Sequence, residues 1–262
     1  YWRISFVTGV FALLLVACAA PAAPVEETAE EPPAAEDAGA MLAREDILVI
    51  PLSVNVPAPD IWNPYIPGTY ILQGMNQNLM EPLFMLNYET GNIDGWLAES
   101  FEANEALDEW MVTLREGTEW SDGTPLTSED VVLTIEMLQE YAPQLNGSGT
   151  VEQWVESVEA VDDRTIKFTL TGPNPRFVME NLAGTTSQAI VPLPKHVWEG
   201  QDPITFRNEF TAEPGAPVFS GPYPVELFSS TEWVYRRNDD WWGAKTGAFK
   251  LPAPLQIQRP WV

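Results

Sequence analysis

The sequence has few of the residues on which thiol and metal chemistry depend. Among its 262 residues there are one cysteine, Cys18, and one histidine, His196, and neither a CxxC nor an HExxH motif occurs. These counts leave no disulfide framework and favour neither a metal site nor a cofactor, so we assign His196 a packing or capping role. Positive charge is also scarce, with 13 Lys and Arg against 38 Asp and Glu, for a net charge of −25. Because phosphates would be repelled, we expect no nucleic-acid partner.

The first 17 residues have the pattern of a signal peptide. Arg3 precedes an apolar run, residues 4–17, that is shorter than a typical membrane span. The run ends in Leu-Val-Ala before Cys18, which resembles a bacterial lipobox, where the cysteine is lipidated after cleavage. The alternative is an ordinary thiol of a secreted protein. We expect Cys18 to carry a lipid and to anchor the protein to the bacterial cell membrane.

Residues 18–45 are rich in Ala, Pro and acidic side chains and have no apolar periodicity. Such a segment cannot bury enough surface to fold, so we expect a solvated tether. The folded part is predicted to begin near Asp46. There the apolar run 47–50 predicts a strand buried on both faces of a sheet.

Residues 109–141 give the clearest local pattern in the chain. Trp110, Val112 and Leu114 alternate with more polar neighbours, which predicts a strand with one buried face. Turn residues follow at Asp122 and Gly123, where we expect the Asp122 carboxylate to accept local backbone N–H groups. A second alternation, Ile166, Phe168 and Leu170, predicts the return strand of a hairpin.

An amphipathic helix is predicted after these turns. Thr127 stands three residues before Asp130, a variant of the capping box that satisfies free N–H groups at a helix start. Val131, Ile135 and Leu138 then repeat with helical spacing and form one apolar stripe. Strand, polar turn and capped helix therefore form one supersecondary unit.

The same unit resembles the signature of extracytoplasmic solute-binding proteins of peptide- and nickel-type ABC importers, known as family 5. In that family a strand ending in Leu-Arg is followed by Gly, an aromatic residue, Asp-Gly, and Thr-x-x-Asp-Val at a helix start. The matching residues here are Leu114, Arg115, Gly117, Trp120, Asp122, Gly123, Thr127, Asp130 and Val131. Many special residues in one order make this signal more specific than a lone glycine motif.

Shorter segments match the family in the same order along the chain. They are Glu81-Pro82-Leu83, Leu97-Ala98-Glu99-Ser100, Pro194-Lys195-His196, Gly221-Pro222-Tyr223 and Arg237-Asn238 followed by Trp241-Trp242-Gly243. Trp241 stands where the family commonly has Tyr. We interpret the last two segments as packed turns rather than as a ligand site.

The resemblance implies an α/β fold like that of type II (cluster C) periplasmic binding proteins. Residues 46–80 and 184–262 would form part of a first lobe, and residues 81–183 an inserted small α+β lobe. A second large lobe would follow in the family, and the sequence has no segment for it. We therefore expect an N-terminal fragment of a longer protein.

Loops that leave buried strands are where α/β folds commonly place ligand contacts. One such loop carries Trp62, Asn63 and Tyr65, and Thr185, Thr186 and Ser187 lie near the predicted crossing between lobes. We predict these six residues as ligand contacts. The alternative for the aromatic residues is that they cover the core.

A receptor for solutes is the function that the resemblance implies. Peptides would be its first cargo and β-linked oligosaccharides its second, because the 11 tryptophans could stack on sugar faces. Its partners would be permease subunits in the membrane. The alternative from another class is a secreted glycoside hydrolase, which would need paired carboxylates with one raised pKa in an apolar cleft. With 38 acidic residues, chance pairs carry little information, so we predict a protein without enzyme activity.

Overall fold

Two β-sheets of four strands and one small hairpin dominate the structure. It is a computed structural model that describes residues 42–52, 60–68, 75–184, 189–211 and 217–260. Residues 42–262 form one compact unit. The predictions for the signal peptide, Cys18, most of the tether, Thr185, Thr186 and Ser187 lie outside the described residues.

The first sheet joins the start of the described chain to its end. Its order is β1 (Ile47–Val49), β10 (Gln256–Pro260), β9 (Glu232–Arg236) and β8 (Val225–Phe228). β1 pairs in parallel with β10, and the other pairs are antiparallel. The carboxyl ends of β1 and β10 therefore lie at the same edge of the sheet.

The expectation that the 47–50 strand is buried on both faces is wrong. β1 forms and has a parallel neighbour, yet the Leu48 side chain is 42% exposed and Ile50 is 38% exposed. The reason is position: β1 is the edge strand of this sheet, and Leu48 borders an open cavity rather than a covering helix.

The second sheet holds the alternating strands that the sequence predicts. Its order is β4 (Ala98–Ala103), β5 (Glu109–Leu114), β7 (Thr165–Leu170) and β6 (Val155–Ala160). The inward residues of β5 and β7 are buried, which confirms both alternations. Asp162 closes the β6–β7 turn by accepting the backbone N–H groups of Arg164 and Thr165, each at 2.8 Å.

Helix α1 (Ser128–Glu140) packs its apolar stripe onto this sheet and has the predicted start. Val131, Ile135 and Leu138 are fully buried. The Asp130 carboxylate accepts the Thr127 backbone N–H at 2.7 Å, which is the return arm of the capping box.

Shorter elements complete the chain. β2 (Phe84–Leu86) and β3 (Ile93–Gly95) pair as an antiparallel hairpin. The remaining elements are a 3-10 turn (Arg44–Asp46), π-helical turns (Met75–Leu79 and Val178–Leu182), α2 (Ser148–Trp154), α3 (Lys195–Trp198) and α4 (Trp242–Lys245).

The Gly221-Pro222-Tyr223 segment forms a tight backbone contact. The Gly221 N–H donates to the Leu79 carbonyl at 2.7 Å, and the Tyr223 N–H donates to the Asn78 carbonyl at 3.1 Å. A Cβ at position 221 would lie 2.6 Å from the Leu79 carbonyl oxygen, so only glycine fits. This packing agrees with the interpretation of the segment as a structural turn.

Strand membership follows the segments proposed for the two lobes. Strands from 46–80 and 184–262 build the first sheet, and strands from 81–183 build the hairpin and the second sheet. The side chains of both segments nevertheless belong to one hydrophobic cluster. The division into two lobes therefore stays a prediction.

Candidate functional site

The predicted ligand residue Trp62 lies in the interior. Its indole ring is 1% exposed and packs against Phe228 and Trp233, with ring centroids 5.4 and 5.6 Å away. Its Nε1–H donates to Asp60 at 2.8 Å. Trp62 therefore covers the inner face of the first sheet.

Asn63 and Tyr65 join this loop to the segment around residues 190–206. The Asn63 amide donates to the carbonyls of Pro203 and Phe206 at 2.9 and 2.8 Å. The Tyr65 hydroxyl donates to the Val191 carbonyl at 2.6 Å, and burial raises its pKa above the usual range. Packing accounts for all three side chains in this conformation, and their role as ligand contacts stays a prediction.

The signature turn also has internal partners. Asp122 accepts the Thr124 backbone N–H at 2.9 Å, as predicted, and lies 2.6 Å from His196 Nε2. Burial opposes ionisation of Asp122, but its hydrogen bonds to Thr124 and the contact with His196 lower the pKa overall. Trp120 is buried and donates to Asp130 at 3.3 Å. The turn is structural, and His196 has an acidic partner that the sequence pattern did not show.

An open cavity of about 570 Å³ lies between the first sheet and the β2–β3 hairpin. Its walls are mostly aromatic and aliphatic: Leu48, Met80, Met85, Trp96, Tyr223, Trp241, Phe249 and Ile257. Asn78 and Glu81 are polar members of the lining. Apolar walls with few polar groups are typical of small-ligand sites, so this cavity is the candidate site of the described chain.

Stacked rings build one wall of the cavity. Trp96 and Phe249 stack with centroids 4.2 Å apart, and Trp241 lies nearly parallel to Phe249 at 5.9 Å. The guanidinium of Arg115 sits 5.4 Å from the Phe249 centroid, on a ring face that attracts cations. The rings of this wall therefore pack against one another.

Glu81 is the buried acid of this cavity. Its Oε1 accepts the Trp96 indole N–H at 3.0 Å, and its Oε2 accepts the Trp242 indole N–H at 2.8 Å. Burial raises the pKa of Glu81 to about 7, although the indole donors oppose the shift. Because both oxygens are occupied, Glu81 positions the indoles that shape the wall.

Sequence reasoning missed this cavity, although it had marked several of its residues. Glu81 belongs to a segment used only as a family match, and Trp241-Trp242 were interpreted as a packed corner. A glutamate before proline gives no local sign of burial. Both segments match the same family, and this shared match is the one sign in the sequence that connects Glu81 with Trp241 and Trp242.

The described residues contain no group of three or more His, Cys, Asp or Glu side chains placed to hold a metal ion. In the same residues, no helix has the length and apolar character needed to cross a membrane.

Comparison with known proteins places the chain in a family. Residues 92–252 match the family model "Bacterial extracellular solute-binding proteins, family 5 Middle", which is more than half of the chain. The chain belongs to this family. Its mixed α/β fold is that of type II periplasmic binding proteins.

Two curated relatives and one solved structure illustrate the likeness. The chain is 34% identical over 151 residues to a probable peptide-binding protein, YejA, of Agrobacterium fabrum, covering 57% of this chain and 23% of the relative. It is 31% identical over 196 residues to the peptidoglycan-binding protein YepA of the same organism, covering 72% and 28%. A periplasmic oligopeptide-binding protein of Thermotoga maritima, solved with mannohexaose bound, has a TM-score of 0.68 at 30% identity.

The chain matches only part of the length of each of these relatives. The chain spans about a quarter of the length of these two curated relatives. The solved Thermotoga structure covers 84% of this chain, and this chain covers 38% of that structure.

Proposed function

We propose that this chain is part of the extracytoplasmic receptor of an ABC importer, which captures peptides and delivers them to permease subunits in the membrane. The observation that carries the proposal is the family match over residues 92–252. Receptors of this kind need a lined site and a conformational change on binding rather than a reactive side chain.

The candidate cavity also suits binding better than glycoside hydrolysis. Glu81 has the raised pKa and apolar surroundings that a general acid needs. However, Glu81 is the one carboxylate among the described residues that line this cavity, and hydrolysis needs a pair. Both of its oxygens also accept indole N–H groups.

Relatives named for peptide binding support peptide cargo. They include the probable peptide-binding protein YejA and the probable D,D-dipeptide-binding protein DdpA of Escherichia coli, 34% and 32% identical to this chain over their matched parts. Oligosaccharide is the second candidate, because the Thermotoga relative is solved with mannohexaose bound. The aromatic side chains that line the cavity, among them Trp96 and Tyr223, could also contact the apolar faces of sugars.

Calorimetry on the longest reading frame that contains this chain tests the cargo. The panel consists of di- to pentapeptides and β-linked oligosaccharides of matched length. We expect micromolar binding of peptides. If only the oligosaccharides bind, the cargo is a sugar rather than a peptide. Measurable turnover of either ligand would favour a hydrolase over a receptor.

We place the cargo contacts in the loop of Trp62, Asn63 and Tyr65 and at Thr185, Thr186 and Ser187. Alanine at the three hydroxyl residues should weaken binding with little change in melting temperature. Alanine at Trp62 should lower the melting temperature, because its ring is buried. An affinity that the hydroxyl substitutions leave unchanged would remove those residues from the site.

We also propose that Cys18 carries the membrane anchor, which follows from the lipobox pattern before it. Cys18→Ala should then release the receptor from the membrane fraction of cells. Retention of the variant in that fraction would contradict the anchor and leave the receptor function open.

A further inference from the structure

One asparagine of the chain is followed by glycine, in the pair Asn146-Gly147. Asparagine is a chemically labile residue, because the backbone nitrogen of the next residue can attack its side-chain carbonyl carbon. A glycine in the next position has no side chain to hinder this attack. Each of the other asparagines precedes a larger side chain or a proline, whose nitrogen has no proton to lose. The pair is therefore the most reactive asparagine site of the sequence.

This pair lies in the turn between α1 and α2, where both residues are half-buried. The residues on either side are fixed, since Leu145 and Ser148 are buried and the Ser148 hydroxyl donates to the Leu145 carbonyl at 2.6 Å. Gly147 has a φ of 77°, a left-handed conformation that favours glycine. Within the described part of the chain, its N–H makes no hydrogen bond. The attacking nitrogen therefore has no protein partner that would hold its proton.

Asn146 connects this turn to the loop that carries three of the predicted ligand residues. Its backbone N–H donates to the Tyr65 carbonyl at 2.8 Å. Its Nδ2 donates to the carbonyls of Pro64 and Ile66 at 3.3 and 3.2 Å, which are long distances for hydrogen bonds of this type. The side-chain amide is therefore held weakly, although every one of these contacts needs Asn146 as the donor.

We propose that Asn146 is a site of spontaneous modification, at which loss of the amide releases the loop of Trp62, Asn63 and Tyr65 from the α1–α2 turn. The Gly147 nitrogen bonds to Cγ of Asn146, the Cγ–Nδ2 bond breaks, and ammonia leaves with the proton of the Gly147 N–H. Water then opens the cyclic imide and gives either aspartate or isoaspartate. The reaction consumes one water and releases one ammonia, and nothing is oxidised or reduced.

Both products weaken the contacts that hold the loop. Aspartate places a carboxylate against the carbonyl oxygens of Pro64 and Ile66, where acceptors would then face an acceptor. Isoaspartate lengthens the main chain by a methylene group, which changes the path of the turn whose N–H donates to Tyr65. An effect on cargo rests on the proposed receptor function, whereas the effect on the loop does not.

Timed incubation of the folded protein tests the reaction. The longest reading frame that contains this chain is kept at mildly alkaline pH, because the attacking nitrogen must lose its proton, and its peptides are mapped by mass spectrometry. We expect Asn146 to convert at least about tenfold faster than Asn92, an exposed asparagine that precedes a β-branched residue. Equal rates at the two positions would overturn the proposal. Conversion of Asn146 in urea alone would also overturn it, since the fold would then protect the site.

Gly147→Ala tests the attacking group. The added methyl group should slow the conversion of Asn146, but it also strains a left-handed backbone and lowers stability. The rates of the variant and the wild type are therefore compared in urea as well, where that strain is absent. Slower conversion of the variant in urea supports the Gly147 nitrogen as the nucleophile, and an unchanged rate contradicts it.

Asn146→Asp reproduces one product and tests its consequence. We expect a lower melting temperature, together with severalfold weaker cargo binding. Asn92→Asp is the matched control, because it makes the same change of charge in an exposed turn, and it should melt like the wild type. If Asn146→Asp also melts like the wild type, the amide does not hold the loop and the proposal fails. Absence of cargo binding by the wild type would contradict the receptor function and leave the mass and melting readouts intact.

Discussion

Glu81 is a single carboxyl group that joins distant parts of the chain. Its donors, Trp96 and Trp242, come from the hairpin side and from the segment that leads to the last strand. Burial of the carboxyl disfavours its charge, and the pKa rises to about 7. The protonation state of this residue therefore depends on folding.

Stability should fall as pH rises through the range in which Glu81 loses its proton. Because the folded state has the higher pKa, the stabilisation is complete below the usual glutamate pKa and is lost by about pH 7. The difference between the two pKa values corresponds to about 3 kcal/mol in the free energy of unfolding. Urea denaturation between about pH 5 and pH 8 measures this slope.

Glu81→Gln should remove the larger part of the pH dependence in this range, since the amide does not titrate; the part that remains comes from Asp130, whose pKa burial also raises. Glu99→Gln is the matched control, because Glu99 is exposed and pairs with Arg164 at the surface. Carboxyls with lowered pKa values, such as Asp122, change stability at lower pH and do not interfere. Parallel curves for the wild type and Glu81→Gln would show that Glu81 is not the titrating group.

Among the structural elements, the unit from β5 to α1 depends on Asp130 for more than its helix cap. One oxygen of Asp130 accepts the Thr127 N–H at 2.7 Å and the Trp120 indole N–H at 3.3 Å. The other accepts the backbone N–H of Lys195 at 2.7 Å, which attaches the start of α3 to the start of α1. The capping residue thus joins three segments.

Asp130→Ala should lower the free energy of unfolding by about 2–4 kcal/mol, because it leaves three buried or partly buried donors without an acceptor. Glu136→Ala, at an exposed position of the same helix, should change it by less than about 0.5 kcal/mol. Denaturant titration of both variants measures the difference. Equal small effects would mean that water replaces the lost acceptor.

For the whole molecule, the two main sheets share one hydrophobic cluster. Leu114 of the second sheet and Ile257 of the first both belong to it. The stacked rings of Trp96 and Phe249 join the hairpin region to the end of the described chain. A continuous core favours cooperative unfolding, even though the segments resemble two lobes.

We expect a single thermal transition for residues 42–262. Leu114→Ala and Ile257→Ala, one in each sheet, should each lower the same melting temperature, since deletion of a buried aliphatic side chain costs about 2–5 kcal/mol. Differential scanning calorimetry should give equal calorimetric and van't Hoff enthalpies. Two transitions, each shifted by only one variant, would instead support two independent lobes.

The sequence predicts a structural feature correctly where that feature depends on interactions between residues that are close along the chain. The β5 and β7 alternations, the Thr127–Asp130 capping box and the Asp122 turn depend on residues a few positions apart, and all three formed as predicted. The prediction for residues 47–50 failed because apolar composition does not reveal whether a strand is central or at an edge.

The sequence by itself determined the family, the strand–turn–helix unit and the acidic character of the protein. Only the tertiary structure decided where the polar groups of the interior meet. Glu81 and Trp242 are 161 residues apart, and Asp130 and Lys195 are 65 residues apart. Periodicity describes which face of an element is apolar, whereas burial, pKa and hydrogen bonding depend on what that face contacts. For that reason the signature identifies the family, and the contacts between distant segments determine the candidate sites.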